Sequence, residues 1–224
     1  MIRFTRTVGT AIGLLSALCA APLLHAQKEF PPPQGNGHVV VLVSGKAGPD
    51  HYEKFAKEIA AQGYDVVLAD GRPMRGTSGA GLKAVIPQAQ QMPHALPGKV
   101  ALVCNSLGGA ICLGYGSMWP DLVAVDIVWY PATTVFPDVP GFVARMKVPT
   151  LMFAGEKDDA DAGCCTIEKA RAFASASASA PVPFEVVTYP NTNHDFIVGG
   201  EHYNAGSYKD AFSRTVNKLK TAAW

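Results

Sequence analysis

The chain has 224 residues, 48% of them hydrophobic and 17% charged, and its formal net charge is +1 at neutral pH. This length and hydrophobic share predict one globular domain with a sizeable core. The near-zero charge gives no reason to expect nucleic acid or an anionic membrane surface as a partner.

The first 26 residues have the pattern of a secretory signal peptide. Arg3 and Arg6 form a basic start, an apolar run follows over Val8–Ala21, and Ala26 offers a small residue for cleavage. The apolar run is too short and wrongly flanked for a membrane anchor. We therefore predict cleavage near Ala26, export to the periplasm or the exterior, and a mature protein without a membrane anchor.

The mature chain is predicted to be a short arm followed by one α/β domain. Residues 27–37, with three consecutive prolines, are expected to be an extended, proline-rich arm, and residues 38–224 are expected to form the domain. Short β-branched runs alternate there with segments of helical periodicity, which predicts a mostly parallel sheet of about six or seven strands with helices on both faces. The predicted strands are His38–Val43, Asp65–Ala69, Val100–Val103, Val123–Trp129, Thr150–Ala154 and Phe184–Thr188. The predicted helices are Tyr52–Ala61, Leu82–Gln91, a segment from the turn after Val103 to about Met118, Thr166–Ala176 and Tyr208–Lys220.

The stretch around Ser106 has the layout of a nucleophile elbow, in which a serine stands on a tight turn between a strand and a helix. Such a turn strains the serine backbone and requires small residues two places to either side, and these places hold Cys104 and Gly108. The serine hydroxyl would then lie at a helix N-terminus, where backbone N–H groups stabilise an oxyanion. On this motif alone, a glycine-rich turn without a catalytic role remains the alternative, because Cys104 stands where the motif has glycine.

An acid and a histidine follow Ser106 in the chain, each directly after a predicted strand. Asp158 lies in the sequence G-E-K-D-D after the strand Thr150–Ala154, and His194 follows the strand Phe184–Thr188. The carboxyl ends of parallel strands meet at the edge of the sheet where ligands bind. Serine, acid and histidine in this order are typical of the α/β-hydrolase layout, so we expect the three side chains to meet.

With these residues in place, the chain resembles the dienelactone hydrolase family of α/β-hydrolases over essentially the whole mature domain. The resemblance is carried by the elbow C-x-S-x-G-G, the acid loop G-E-K-D-D, the loop Y-P-x-x-x-H-x-F and a late segment at residues 203–215. It implies the α/β-hydrolase fold, with Ser106 as the nucleophile, His194 as the base and Asp158 as the acid.

The resemblance also implies an oxyanion site, made by the backbone N–H of Leu107 with Lys46 from the loop after the first predicted strand. The chain departs from the family in two places. Dienelactone hydrolases proper carry a cysteine nucleophile and a glutamate after the first strand, whereas this chain has Ser106 and the sequence Ser44-Gly45-Lys46. These departures count against a lactone as the specific substrate, so carboxylic esters are the expected substrates and lactones are the alternative.

Other residues compete for these roles. Asp159 and Asp161 lie beside Asp158, but carboxylates in a polar loop are usually solvated. The histidine His202 lies well beyond the last predicted strand and is expected in a surface loop. Structural roles are expected for the remaining histidines of the mature chain: His38, His51 and His94.

Two aromatic residues and four cysteines complete the set of candidates. Trp129 and Tyr130, at the end of a predicted strand, are expected either to line the acyl pocket or to be ordinary core residues. Four cysteines permit three complete pairings in an oxidising compartment. Cys104 and Cys112 adjoin apolar segments and are predicted to be buried packing residues. The adjacent residues at 164 and 165 are predicted either to pack or to supply one half of a disulfide.

The predicted function is that of an exported serine hydrolase that cleaves small-molecule esters through an acyl-enzyme. This mechanism needs no organic cofactor, no cysteine–histidine spacing indicates a zinc site, and a monomer is expected. The alternative is a binding protein that keeps the hydrolase fold without turnover, which Cys104 in the elbow favours. A thiol-redox protein is a third hypothesis and depends only on the pair Cys164-Cys165. An assay with a chromogenic ester separates the first two.

Overall fold

A computed structural model describes residues 27–160 and 163–224, so the predicted signal peptide and Asp161 lie outside the described residues. Seven strands in this part of the chain form one sheet in the order β1-β3-β2-β4-β5-β6-β7. The strands are β1 (Lys28–Phe30), β2 (Val39–Val43), β3 (Asp65–Ala69), β4 (Val100–Asn105), β5 (Val123–Trp129), β6 (Thr150–Gly155) and β7 (Phe184–Tyr189). Strands β2 to β7 pair in parallel, which confirms the predicted mostly parallel sheet.

The central strands are buried along their whole length because both faces of the sheet are covered. Every residue of β2, with the sequence VVVLV, is buried, and so is every residue of β4 and β5. Such continuous β-branched runs have no polar face to offer to solvent, so they are stable only between two layers of helices.

Six helices of the described chain supply these two layers. Apolar residues of α1 and α6 pack on one face of the sheet, and those of α2 to α5 pack on the other. The helices are α1 (Glu53–Ala60), α2 (Ala80–Ala89), α3 (Ser106–Tyr115), α4 (Val139–Val143), α5 (Ile167–Ala176) and α6 (Ala205–Lys220). None of the helices in the described ranges is both long and apolar enough to cross a membrane.

The structure differs from the sequence prediction at three elements. The predicted arm begins with β1, which pairs antiparallel with β3 and so adds an edge strand to the sheet. The short helix α4 is not among the predicted helices, and the Asp138 carboxylate caps it by accepting a hydrogen bond from the Gly141 N–H. Helix α6 begins three residues earlier than predicted because the Asn204 side chain caps it at Ser207.

Candidate active site

Ser106 lies at the sharp turn between β4 and α3, and its backbone is in the left-handed region with φ of 50°. A non-glycine residue rarely adopts this conformation unless the surrounding structure enforces it. The end of β2 enforces it here, because a Cβ at position 108 would lie 2.6 Å from the carbonyl oxygens of Val43 and Ser44. Gly108 therefore lets the helix approach the sheet closely enough to hold the serine at the sheet edge.

The structure brings Ser106, His194 and Asp158 together, although 88 residues separate the serine from the histidine. The Ser106 Oγ lies 2.9 Å from His194 Nε2, and His194 Nδ1 lies 2.7 Å from Asp158 Oδ2. The Asp158 side chain is only 1% exposed, whereas that of His194 is 15% exposed. The imidazole thus bridges a hydroxyl that faces solvent and a carboxylate that is shielded from it.

The chain positions the buried carboxylate through a loop that follows β6. The second oxygen of Asp158 accepts a hydrogen bond of 3.2 Å from the Ala160 N–H. By contrast, Asp159 is exposed, and its backbone N–H donates to the Asn193 side chain. Of these two neighbouring acids, Asp158 is therefore the one whose carboxylate meets His194.

The other histidines lie elsewhere or in other roles. His202 is exposed but borders the same cavity as His194. The ring of His38 stacks on that of Trp224, and the His94 side chain contacts Glu29 in β1. His51 forms a close pair with Asp195, next to the candidate base.

The first turn of α3 and the loop after β2 border the Ser106 hydroxyl. The first N–H groups of a helix have no acceptor within the helix, so the N–H of Leu107 is free to bind a developing oxyanion. A Cβ at position 45 would lie 2.9 Å from the Ser106 Cβ, so the loop that carries Lys46 packs directly against the serine. Lys46 and Leu107 both border a cavity that contains Ser106.

Two cavities open on either side of Ser106 and share Lys46 at their border. The smaller, of about 330 Å³, is polar and is bordered by His194, Tyr52 and Asp195. The larger, of about 690 Å³, is bordered by Leu107, Ala132, Thr134, Val135, Cys164, Arg72 and Arg75. A substrate whose reacting carbonyl lies at Ser106 could therefore extend into both.

Of the two roles predicted for Trp129, the structure supports the second: it is a core residue and borders neither cavity. Its side chain is fully buried and packs edge-on against Phe55 and Phe153 on the face covered by α1 and α6. Successive side chains of a strand point to opposite faces of the sheet. The pleat of β5 places the Trp129 side chain on the face that α1 and α6 cover. Tyr130 is also buried, but its ring lies 4.7 Å from that of His194, so it supports the imidazole from behind.

A second polar cluster, which the sequence analysis did not identify, lies behind the candidate base. The Asp195 carboxylate contacts His51 Nε2 at 2.8 Å and accepts hydrogen bonds from the Tyr130 hydroxyl and the Glu201 N–H. Burial raises the pKa of Tyr130 well above its usual value and also raises that of Tyr52, so both phenols remain protonated donors. The sequence feature that could have revealed this cluster is Asp195, an acid directly after the predicted base His194.

Positive φ values of 37° and 56° at Tyr130 and Asp195 mark the same cluster. Such conformations cost free energy unless surrounding contacts hold them. Asp195 follows His194 in the chain, and the Tyr130 ring packs against the imidazole. These two strained residues therefore fix the loop that carries His194.

The cysteines form two disulfides within the described chain. Cys104 in β4 is bonded to Cys112 in α3, and both are fully buried. The predicted burial of both residues is confirmed, and they are also bonded to each other, with their Cα atoms 6.3 Å apart, within the range that a disulfide spans. Cys164 and Cys165 are bonded to each other.

Two groups of side chains have donor atoms close enough to share a metal ion: Cys104, Cys112 and Asp126, and Asp158, Cys165 and His194. The cysteines of both groups are in disulfides, so neither offers a thiolate in this oxidised form. Burial raises the pKa of Asp126 well above its usual value. The first group is therefore a poor metal site, because burial disfavours the charged form of its carboxyl and all three residues are fully buried.

The model of the dienelactone hydrolase family matches residues 71–223. A comparison with curated proteins finds no match. Among solved structures, a protein assigned as a dienelactone hydrolase from Klebsiella pneumoniae subsp. pneumoniae has a TM-score of 0.73 at 18% identity, covering 87% of this chain and 92% of that chain.

Two further solved structures have the same fold. A dienelactone hydrolase-like promiscuous phosphotriesterase from metagenomic libraries has a TM-score of 0.67 at 19% identity, covering 84% of this chain and 87% of that chain. Esterase 2 of Thermogutta terrifontis, phosphonylated by sarin, has a TM-score of 0.64 at 16% identity, covering 88% of this chain and 91% of that chain. These similarities confirm the α/β-hydrolase fold, and the chain belongs to the dienelactone hydrolase family, as a hydrolase that acts on ester bonds.

Proposed function

We propose that this chain is an exported serine hydrolase that cleaves carboxylic esters, lactones among them, through a Ser106–His194–Asp158 triad. The observation that carries the proposal is the continuous line of contacts from the Ser106 Oγ through the imidazole to the shielded carboxylate, at 2.9 and 2.7 Å. The serine is also held on a strained turn at a helix N-terminus, between two cavities.

The geometry supports a two-step acyl transfer. His194 Nε2 takes the Ser106 proton as the oxygen attacks the ester carbonyl, and Asp158 holds the imidazole in the tautomer that this requires. The imidazolium then gives its proton to the departing alcohol, which leaves an acyl-enzyme. His194 next takes a proton from a water molecule, and the resulting attack releases the acid and restores the serine.

The oxyanion of each tetrahedral intermediate is expected to bind the backbone N–H groups of Leu107 and Lys46. Such donors act where charge develops, and the loss of one typically costs about 3 kcal/mol of transition-state stabilisation. Both residues border the larger cavity beside Ser106, which is where the carbonyl oxygen of a bound ester would point.

The larger cavity also indicates a preference among esters. Arg72 and Arg75 lie at its border. The Arg72 guanidinium is already held by Asp70 through contacts of 2.7 to 3.1 Å, whereas Arg75 is exposed. A negatively charged substituent on the substrate would be attracted to this side, because guanidinium groups bind carboxylates with matched geometry.

Ester turnover by purified variants tests the proposal. Ser106→Ala is expected to abolish hydrolysis of a chromogenic ester while leaving the thermal unfolding temperature close to that of the wild type, since it removes only one hydroxyl. The matched control is Ser78→Ala, at another serine with a positive φ but outside both cavities, which should retain activity. Persistent turnover by Ser106→Ala, or inactivation by a thiol reagent alone, would favour a cysteine nucleophile instead.

The proposal includes export and a mature monomer that carries no membrane anchor. Two disulfides within the described chain support export, because disulfides persist in oxidising compartments. Mass spectrometry of protein recovered from its native compartment should find Gln27 as the first residue. A cytoplasmic form that retains Met1 would contradict export without affecting the proposed chemistry.

A further inference from the structure

The vicinal disulfide lies directly against the candidate acid and base. A carboxylate oxygen of Asp158, a ring nitrogen of His194 and the sulfur of Cys165 all lie within 4.8 Å of one another. Cys165 is only 4% exposed, but its neighbour Cys164 borders the larger cavity beside Ser106. A small solute that enters this cavity therefore reaches Cys164, the half of the disulfide that borders it.

The loop that carries the disulfide is anchored through the backbone of Cys164. The carbonyl oxygen of Cys164 accepts hydrogen bonds of 3.1 Å from both the N–H and the hydroxyl of Thr134. Opening the S–S bond would leave these backbone contacts intact, so we expect the Cys165 sulfur to stay beside Asp158 and His194 after reduction.

A thiolate, an imidazole and a carboxylate together form a donor set suited to Zn²⁺ and similar ions. Zinc binds these groups at about 2.0–2.3 Å in tetrahedral geometry, so its ligand atoms lie roughly 3–4 Å apart. Atoms that already lie within 4.8 Å of one another need only small side-chain rotations to reach this arrangement. In the disulfide form the Cys165 sulfur carries no negative charge, so the donor set lacks its thiolate.

We propose that reduction of the Cys164–Cys165 disulfide creates a binding site for a thiophilic divalent cation, with Cys165, His194 and Asp158 as its ligands. A dithiol reductant supplies two electrons and two protons, the S–S bond breaks, two thiols form, and the dithiol becomes a cyclic disulfide. When the ion binds, the Cys165 thiol releases its proton to solvent and a neutral ring nitrogen of His194 donates its lone pair. Water is expected in the fourth position.

Occupation of this site would stop ester hydrolysis, and this consequence rests on the proposed function. The ion would take the carboxylate that orients the imidazole, and its positive charge would oppose formation of the imidazolium. His194 could then no longer accept the Ser106 proton. The disulfide thus protects the catalytic pair from metal ions, and reduction removes that protection.

Two matched cysteine variants separate binding from reduction. Cys164→Ala breaks the vicinal disulfide and leaves the Cys165 thiol free without any reductant, while the buried Cys104–Cys112 disulfide stays in place. Cys165→Ala breaks the same disulfide but removes the proposed ligand and leaves Cys164 free instead. Each variant is titrated with Co²⁺ under anaerobic conditions, and the thiolate-to-metal charge-transfer absorption in the near ultraviolet is recorded.

Cys164→Ala is expected to bind one Co²⁺ with this absorption, and Zn²⁺ should displace the ion. The oxidised wild type and Cys165→Ala should show no such band, whereas wild type reduced with a phosphine and then desalted should behave like Cys164→Ala. In ester hydrolysis, the Zn²⁺ concentration that halves activity should be at least about tenfold lower for Cys164→Ala than for Cys165→Ala, since even the loss of an indirect metal contact costs 10- to 100-fold in affinity. A chelator should restore activity.

The absence of the charge-transfer band in both Cys164→Ala and the reduced wild type would overturn this inference, as would equal Zn²⁺ sensitivity of the two variants. If Cys164→Ala fails to fold, the reduced wild type alone decides the matter. The absorption does not depend on ester turnover, so a protein that binds Co²⁺ but hydrolyses no ester would contradict the proposed function and leave the metal site standing.

Discussion

At the scale of single residues, the site depends on which of two adjacent acids meets the histidine. The Asp158 side chain is shielded from solvent and touches His194 Nδ1, whereas Asp159 is exposed. Asp158→Asn would present an amide to the imidazole and favour the wrong tautomer, so kcat should fall by about 10⁴ as for the corresponding change in a serine protease. Asp159→Asn is the matched control and should lower kcat less than about tenfold, because exposed loop charges contribute little.

Steady-state kinetics with one ester substrate would check this ranking. Both variants should unfold at temperatures close to the wild type, so a difference in kcat reports on chemistry rather than on folding. If Asp159→Asn were the more damaging change, the acid would have to be assigned to Asp159 and the geometry of the loop after β6 would be wrong.

The sequence was sufficient to predict that Ser106, Asp158 and His194 lie together. It was not sufficient to predict the direction of the Trp129 side chain or the pairing of the cysteines. Ser106, Asp158 and His194 each follow a strand at the same edge of the sheet, so the chain order alone brings them together. The direction of Trp129 depends on the pleat of β5, which the chain order does not reveal. The bond between Cys104 and Cys112 depends on a distance between a strand and a helix, which spacing in the sequence does not determine.

At the scale of elements, the elbow between β4 and α3 is closed by the Cys104–Cys112 disulfide, with the proposed nucleophile Ser106 between the two cysteines. The double variant Cys104→Ala/Cys112→Ala should lower the free energy of unfolding by about 2–3 kcal/mol, the loop-closure value for a loop of this size. The double variant Cys164→Ala/Cys165→Ala is the control and should change it by less, because a disulfide between adjacent residues closes almost no loop. Denaturant titration under non-reducing conditions measures both.

Equal losses in the two double variants would mean that the disulfide between β4 and α3 does not constrain the unfolded chain. A comparison of kcat in the same variants adds a second readout. If the disulfide holds the elbow closed, the first double variant should lose turnover at temperatures where it is still folded.

The edge strand β1 brings two carboxyl groups together where it pairs with β3. Asp65 is buried, and burial together with the nearby Glu29 raises the pKa of Asp65 to about 6. A carboxyl whose pKa is raised in the folded state destabilises the protein once it ionises. Stability from this group is therefore greatest at low pH and is lost as the pH rises from about 4 to about 6.

Asp65→Asn removes the buried charge and should raise the free energy of unfolding at pH 8 by up to about 3 kcal/mol, the value of a two-unit pKa shift. At pH 4 the wild type and the variant should differ much less. Denaturant titrations at the two pH values provide the test. If Asp65→Asn were destabilised by the same amount at pH 8 and at pH 4, the Asp65 carboxylate would be required for stability and the direction of its pKa shift would be wrong.

Most elements were predictable because their sequences are strongly patterned. The β-branched runs of β2, β3 and β5 fit a sheet buried on both faces, and their bounds in the structure are close to those predicted. Strand β1 has only three residues and precedes a proline run, so its pairing depends on the exposed edge of β3. Helix α4 has only five residues, including a proline and a glycine, and its Asp138 cap stabilises it rather than any helical periodicity.

At the scale of the whole molecule, the fold explains why one edge of the sheet carries all the chemistry. The parallel strands β2, β4, β5, β6 and β7 end on the same side, and their loops carry the proposed oxyanion loop, nucleophile, acid and base, together with the ring that packs behind the imidazole. This convergence follows from the parallel topology, so it was predictable. The strained cluster around Asp195 was not, because it depends on side chains from three separate segments, at residues 51–52, 130 and 195, that meet only in the folded chain.

The proposed role of Ser106 as the nucleophile is tested most directly by the mass of the protein after treatment with a fluorophosphonate, followed by mapping of the modified peptide. One adduct per molecule is expected, on the peptide that contains Ser106, with no adduct in Ser106→Ala and much slower labelling in His194→Gln. An adduct on any other residue, or an active esterase that takes up no label and is instead inactivated by a thiol reagent, would contradict this role.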